Sequence, residues 1–255
     1  MKALRVVALA YLALLLAVPV GMVGYRALEH GLGAAWDAVT TPAAQHAFYL
    51  TVLAAAIAVA ANAVFGVACA WLLVRREFPG KRLLGVLVDL PFAVSPVIVG
   101  LALVLVWGRQ GWLPSTSVIF SLPGMVLATI FVSLPFVVRE VAPVLEEAGT
   151  EQEEAARTLG AGGFDVLRRI TLPTIRWGLT YGVVLATARA LGEYGAVSLV
   201  SGHIAGRTQT LTLLVEDRFQ SFDYSGAYVA AVLLALLAIA VLALMTLLNR
   251  RTREA

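Results

Sequence analysis

The sequence predicts an all-α polytopic membrane protein, a bundle of six transmembrane helices with one helical cytoplasmic loop. Of its 255 residues, 60% are apolar and only 14% are charged, whereas an ordinary soluble domain carries about 25% charged residues. Because backbone polar groups in lipid must pair within their own segment, each long apolar run is predicted to be a helix. Six runs reach the roughly 20 residues that a membrane crossing requires: Val6 to Tyr25, Phe48 to Val74, Leu83 to Trp107, Val118 to Val138, Trp177 to Val200 and Gly226 to Leu248.

The distribution of positive charge predicts the orientation of these helices. If the N-terminus is cytoplasmic, the outer segments hold only Arg26, Arg109, Arg207 and Arg218. The positive-inside rule therefore places both termini in the cytoplasm. No linker divides the chain, so residues 1–255 are predicted to form a single transmembrane domain. Fourteen of the nineteen Lys and Arg residues then lie in inner segments: Lys2, Arg5, Arg75, Arg76, Lys81, Arg82, Arg139, Arg157, Arg168, Arg169, Arg176, Arg250, Arg251 and Arg253.

Two apolar runs contain charged residues at membrane depth. In the third run, Pro91 and Pro96 are expected to kink the helix, and Asp89 is expected to pair with a basic residue or a backbone N–H. In the fifth run, Arg189 and Glu193 are four residues apart, so they are expected to pair on one helix face as a structural clamp. A charge within a membrane is otherwise a hypothesis for a functional site.

The longest polar stretch, "EEAARTLGAGGFDVLRRITLP" at residues 153–173, lies between the fourth and fifth runs. Thr150 and Glu153 fit a capping box, which predicts that a short helix begins there. Gly160 is placed for a left-handed C-terminal cap. A second short helix is predicted through Phe164 to Ile170, until Pro173 interrupts it. By composition alone, a loop folded back on its own helix ends is the alternative.

The spacing within this stretch resembles the EAA loop of permease subunits from bacterial ABC importers. Glu154, Ala155 and Ala156 are followed after three residues by Gly160, and after nine more by "ITLP" at residues 170–173. In that family the first short helix is a coupling helix that docks on the ATP-hydrolysing subunit. The resemblance therefore implies that the docking residues are Glu153, Glu154, Ala155, Ala156, Arg157 and Gly160.

The fifth run and the segment after it resemble a narrower group. "ALGEYGA" at 190–196, "SGHI" at 201–204 and "GRTQTL" at 206–211 are similar to permeases of sulfate/thiosulfate importers and of their molybdate and tungstate relatives. "DLPFAVSPVIVG" at 89–100 and "SLPFVVREV" at 133–141 resemble the same group. The sulfate W-type permeases are the most similar branch, with molybdate or tungstate as the alternative. Pore or gate candidates are Ser198, Ser201, Gly202 and Thr208, whose hydroxyl and backbone N–H groups suit a dianion.

The resemblance also implies partners and a location. A complex of this kind has two ATP-binding subunits that hold ATP and Mg²⁺, a second and unlike permease subunit, and a sulfate-binding protein outside. It lies in the lipid bilayer of the bacterial cytoplasmic membrane, and transport proceeds by alternating access. This chain is then not itself an enzyme and holds no cofactor.

Other classes of protein fit the sequence less well. The chain has no G-x-x-x-x-G-K-[ST] phosphate loop, and its basic residues form no aromatic-interleaved face for nucleic acid. Its single cysteine, Cys69, cannot form an intrachain disulfide. The three histidines, His30, His46 and His203, fall in predicted outer segments and are expected to be solvated rather than metal ligands. A secondary transporter stays as a different-class alternative, although it would usually show interrupted helices in two related halves.

Overall fold

The computed structural model describes residues 10–113 and 118–254, together with Arg5 and Val7, and the side chains up to residue 245. All regular structure in these residues is helical. The helices are α1 (Ala10–Leu28), α2 (Gly31–Thr40), α3 (Pro42–Arg75), α4 (Lys81–Ala93), α5 (Pro96–Trp107), α6 (Leu122–Ala148), α7 (Glu151–Thr158), α8 (Gly163–Leu191), α9 (Gly195–Ser201), α10 (Leu211–Gln220) and α11 (Tyr224–Glu254).

Four of these helices are long and apolar enough to cross a membrane unaided. They are α1, α3, α6 and the segment Tyr224–Met245 of α11, and they match the first, second, fourth and sixth predicted runs. The third and fifth runs are each a bent pair of helices. The described residues thus hold four spans, or up to six if each bent pair is one span, and the count of six stays a prediction.

The third run bends far more sharply than a proline kink. Helices α4 and α5 meet at 116°, and the bend lies at Val94 and Ser95, whose backbones are extended with ψ of 133° and 136°. Ser95 precedes Pro96, and a residue before proline is disfavoured in the helical region. Pro91 lies inside α4 without ending it. Pro96 therefore accounts for the break.

The second short helix of the polar stretch was predicted to end at Pro173, and this prediction is wrong. Helix α8 runs on to Leu191 through a π-helical turn at Leu167–Thr171. Pro173 is the second residue of the α-helical segment Leu172–Leu191 that follows this turn. A proline costs little in the first turn of a helix, because its missing N–H needs no partner there. The π turn thus lets one helix continue where a break was expected.

The described chain divides into two compact units. One comprises Met1–Thr51 with His203–Ala240, and the other comprises Val52–Gly202 with Val241–Ala255. In the first unit, Thr51 Oγ1 accepts the backbone N–H of Leu211 at 2.9 Å. Its apolar core is formed by Ala44, Ala47, Leu211, Leu214 and Ala230. Each unit combines segments that are distant in sequence. Neither unit is one continuous stretch of chain, and the assignment of residues 1–255 to a single domain stays a prediction.

The second unit is built on close helix contacts at glycines. A Cβ atom at Gly66 of α3 would lie 2.6 Å from Val137 Cγ1 of α6. One at Gly178 of α8 would lie 2.6 Å from the Glu140 carbonyl oxygen, also in α6. Small residues let membrane helices approach until their backbones touch. Helices α3 and α8 are therefore both packed tightly against α6, and this core positions the polar segment that follows α6.

Candidate functional site

The proposed coupling segment folds as the short helix α7, Glu151–Thr158. Gly160 has φ +88° and ends this helix in the left-handed region, as predicted. The Gly160 N–H donates to the Arg157 carbonyl at 3.0 Å, and the Ala161 N–H donates to the Ala156 carbonyl at 3.0 Å. This pair of bonds is the Schellman motif, which satisfies the last carbonyls of a helix. The chain thus turns away from α7 in a defined direction.

The start of α7 differs from its prediction. Thr150 makes no side-chain hydrogen bond to the helix, so the capping box is absent. Glu153 is only 5% exposed, and its Oε1 atom accepts from Arg75 Nε at 3.3 Å and from Thr171 Oγ1 at 3.0 Å. Its carboxylate is drawn inward because a guanidinium and a hydroxyl are available there. Glu153, one of the docking residues that the resemblance implies, is therefore buried against its own chain, whereas an outward-facing side chain was expected.

The remaining docking candidates face outward. Glu154, Ala155 and Arg157 are exposed and Ala156 is partly buried. Next to them, Leu159 is 90% exposed, which sequence reasoning missed. The signal available was its place beside the capping glycine, where an apolar side chain has no core to enter. A single exposed apolar side chain is common at a protein surface, so it is the place of Leu159 beside α7 that makes it a docking candidate.

Arg75 is a second residue that sequence reasoning missed. It was counted only as one of the inner positive charges, yet its side chain is 7% exposed and contacts both Glu153 and the end of α6. Seventy-eight residues separate Arg75 from Glu153. No spacing rule connects residues so far apart, so only the folded chain shows the pair.

The charge pair of the fifth run spans a helix break. Arg189 Nη1 lies 2.5 Å from Glu193 Oε2, and the Glu193 side chain is 2% exposed. Helix α8 ends at Leu191 and α9 begins at Gly195, with a bend of 55° between them. The other Glu193 oxygen accepts the N–H of Ala196 at 2.8 Å. The carboxylate therefore holds the first turn of α9 to the last turn of α8 across the bend.

Asp89 also has the basic partner that the sequence led us to expect. Its Oδ1 atom lies 2.9 Å from Arg139 Nη2, and both side chains are about half exposed. The Arg139 guanidinium also lies over the ring of Phe92, 5.3 Å from its centroid. These contacts join α4 to α6 and need no substrate.

Three of the four gate candidates lie together at the end of α9. The Ser198 hydroxyl donates to the Gly195 carbonyl at 2.9 Å, Ser201 is fully buried, and Gly202 follows with φ +76°. A Cβ atom at Gly202 would lie 2.9 Å from Phe120 Cδ1, so a glycine suits both its backbone and its space. Thr208 belongs to the other compact unit.

Thr208 is held by its own loop. It is 5% exposed, and its hydroxyl accepts the N–H of Ile204 at 3.2 Å. The Ile204 carbonyl in turn accepts the N–H groups of Thr208 and Arg207 at 2.9 and 3.1 Å. The segment 204–208 is thus a compact turn.

Comparison with known proteins agrees with these features. Residues 62–254 match the family described as the binding-protein-dependent transport system inner membrane component. The chain is 51% identical to the sulfate transport system permease protein CysW of Synechocystis sp., over 96% of this chain and 91% of that protein. It is 48% identical to CysW of Escherichia coli, over 94% and 84%. With the sulfate transport system permease protein CysT of Salmonella typhimurium it shares 38% identity, over 96% and 91%.

A solved structure shows the same fold. The chain superposes on a chain of the crystal structure of a bacterial alginate ABC transporter in complex with an alginate pentasaccharide-bound periplasmic protein, with a TM-score of 0.82 and 16% sequence identity. The match covers 98% of this chain and 94% of that one. The chain is thus a multi-pass membrane protein, and it belongs to the family of binding-protein-dependent transport system inner membrane components.

Proposed function

We propose that this chain is a permease subunit of an ATP-driven importer that carries sulfate or thiosulfate into the cytoplasm. The observation that carries this proposal is the 51% identity to a sulfate transport system permease over nearly the whole of both chains. Similarity of this extent includes the fifth-run segment and the polar stretch, which are the two regions that the sequence associates with transport. Molybdate and tungstate have the same tetrahedral dianionic form and are the competing substrates.

The proposed assembly is supported by the family resemblance and by the two kinds of relative. Two partner subunits bind ATP and Mg²⁺ and hydrolyse the nucleotide, as the resemblance to the EAA-loop permeases implies; the sequence of this chain contains no phosphate loop of its own. Identity is higher to CysW than to CysT, which supports pairing with a second, unlike permease subunit. A binding protein outside the membrane delivers the anion. Both termini lie in the cytoplasm of a bacterial cell.

The mechanism is alternating access driven through α7. Closing of the ATPase subunits on ATP moves the docked coupling helices together, and the membrane helices then open the pore outward. Hydrolysis reverses this movement. Ligands shift such an equilibrium only by binding its two states differently. The exposed residues Glu154, Ala155, Arg157 and Leu159 provide the docking contact, and the rigid turn at Gly160 fixes its angle.

The anion path is proposed to pass the end of α9. Gly202 offers an exposed backbone N–H, and the Ser198 hydroxyl would have to exchange its bond to the Gly195 carbonyl for one to the anion. Both are neutral donors, which suit a dianion without binding it tightly. A weak site favours release, because selectivity resides in the external binding protein. The Arg189–Glu193 pair has a structural role beside this path and leaves no net charge.

Uptake by cells lacking this gene tests the proposal. With sulfate as the only sulfur source, we expect uptake of labelled sulfate to fall and to return when the gene is restored, while molybdate uptake is unchanged. Loss of molybdate uptake with normal sulfate uptake would place the chain in the other branch. If another solute alone is lost, the oxyanion assignment is wrong.

A further inference from the structure

Arg75 connects three parts of the chain through one guanidinium. Its Nη1 donates to the Leu145 carbonyl at 2.8 Å and its Nη2 to the Gly149 carbonyl at 2.6 Å. Its Nε donates to Glu153 Oε1 at 3.3 Å. Arg75 is the last residue of α3, so one buried side chain joins the end of α3 to the end of α6 and to the first turn of α7.

An arginine meets these three acceptors in a way that lysine cannot. The guanidinium is a planar fork of donors in fixed directions, whereas the lysine ammonium is a compact point charge. Two of the acceptors, the Leu145 and Gly149 carbonyls, lie at the C-terminal end of α6. Carbonyls in that position lack a partner within the helix and carry partial negative charge. The site therefore requires both the positive charge and the fork.

Glu153 completes the connection on the side of α7. The same Oε1 atom accepts the Thr171 hydroxyl at 3.0 Å, so the carboxylate also contacts the π-helical turn of α8. Helix α7 also lies next to Gly163–Val166 and Leu167–Thr171 of α8. Glu153 thus contacts both α8 and Arg75, and Arg75 links it to the end of α3.

Helices α3 and α6 are themselves fixed to each other within this unit. Asn62 Nδ2 donates to Ser133 Oγ at 2.8 Å and to the Ile130 carbonyl at 3.2 Å, and Asn62 is fully buried. Four residues further along α3, Gly66 leaves no space between its backbone and Val137. The two helices are thus held together by contacts that do not involve Arg75.

We propose that Arg75 is the positioning residue that makes α7 and the cytoplasmic ends of α3 and α6 move as one body. This inference rests on the proposed function, in which α7 receives the movement of the ATPase subunits. Glu153 then faces the membrane helices and anchors α7, while Glu154, Arg157 and Leu159 face the ATPase. If the contacts of Arg75 are lost, α7 still docks on the ATPase subunit, but less of its movement reaches α3 and α6.

The first test compares Arg75→Lys with Arg76→Lys in the assembled, reconstituted complex. Arg76 is the matched control because it is adjacent, exposed, and packed over the Trp71 ring at 5.4 Å, a contact that lysine can also make. The measurements are the ATPase subunit recovered with the permease, the ATP turnover, and the sulfate imported per ATP. We expect Arg75→Lys to keep the ATPase bound while import per ATP falls at least about fivefold. Arg76→Lys is expected to stay near the wild-type value.

Glu153→Gln provides an independent variant, should Arg75→Lys fail to insert. Its amide oxygen can still accept the Thr171 hydroxyl, but the charge facing Arg75 is gone. We expect the same loss of import per ATP, and a double variant no worse than Arg75→Lys alone, because both changes remove one interaction. Loss of ATPase binding in Glu153→Gln, with normal import per ATP in the remaining complexes, would overturn the proposal. So would normal import per ATP in both single variants.

A distance measurement tests the role of Arg75 independently of the transported solute. Spin labels at Gln152 of α7 and at Glu77, just beyond α3, are introduced in a Cys69→Ala background, since Cys69 is the only cysteine. We expect a narrow distance distribution in the parent protein and a broad one in Arg75→Lys. Distance distributions of equal width in the two proteins would overturn the role of Arg75, whereas a parent complex that imports no sulfate would contradict only the proposed function.

Discussion

Two buried carboxylates in this chain, those of Glu153 and Glu193, form the same kind of ion pair but have different roles. Glu153 and Glu193 are 5% and 3% exposed, and each forms an ion pair with an arginine and accepts a hydrogen bond from one further donor. The arginine partner of Glu193 is four residues away, whereas that of Glu153 is seventy-eight residues away. The Arg189–Glu193 pair holds the bend between α8 and α9. The Arg75–Glu153 pair joins helices that are distant from each other in the chain.

Because of this difference, we expect one pair to affect the stability of the fold and the other to affect the transmission of movement between helices. A local pair across the break between α8 and α9 fixes the angle of that bend, so its loss should destabilise the fold around it. A long-range pair at the end of three helices has little effect on any one helix, yet it determines whether they move together. We therefore expect the Glu193 pair to be needed for a stable chain and the Glu153 pair for coupling.

The largest expected effect is the loss of stability in Glu193→Ala. Removing Glu193 leaves Arg189, whose side chain is 30% exposed, without its partner, and we expect a cost of about 3 kcal/mol, the low end of the range for a fully buried pair. The Ala196 N–H also loses its acceptor. Thermal unfolding of the detergent-solubilised protein measures this loss. Glu77→Ala is the control, because Glu77 is 88% exposed in its pair with Lys81 and an exposed pair contributes only about 0–1 kcal/mol. Equal melting temperatures for the two variants would contradict a stabilising role for Glu193.

A smaller effect is expected at the turn that ends α7. Gly160 and Gly163 both have open space around the position of a Cβ atom, but only Gly160 has a positive φ, +88°. Gly160→Ala should therefore strain the backbone by about 1–2 kcal/mol, tilt the docking surface and lower stimulated ATP turnover. Gly163→Ala should leave turnover unchanged. Turnover that falls equally in both variants would show that the left-handed turn is not the cause.

The sequence predicted the features that depend on composition or on short spacing. Apolar runs predicted the helices, the spacing of Arg189 and Glu193 predicted their pair, and Gly160 predicted the end of α7. Glu153 was misplaced because a capping box and a buried ion pair require the same residue at the helix start, and the deciding partner, Arg75, is remote in sequence. The break at Ser95 was underestimated, because a proline signal gives a kink but not its angle.

Cross-linking from α7 shows whether this helix docks on the ATPase subunit. In a Cys69→Ala background, single cysteines replace Leu159, which is 90% exposed beside the capping glycine, and Arg207, which is exposed in the predicted outer segment. A short thiol cross-linker is then applied to membranes that contain the whole complex. We expect Leu159→Cys to cross-link to the ATPase subunit and Arg207→Cys to give no such product. Cross-linking from Arg207→Cys, with none from Leu159→Cys, would contradict both the orientation of the chain and the role of α7.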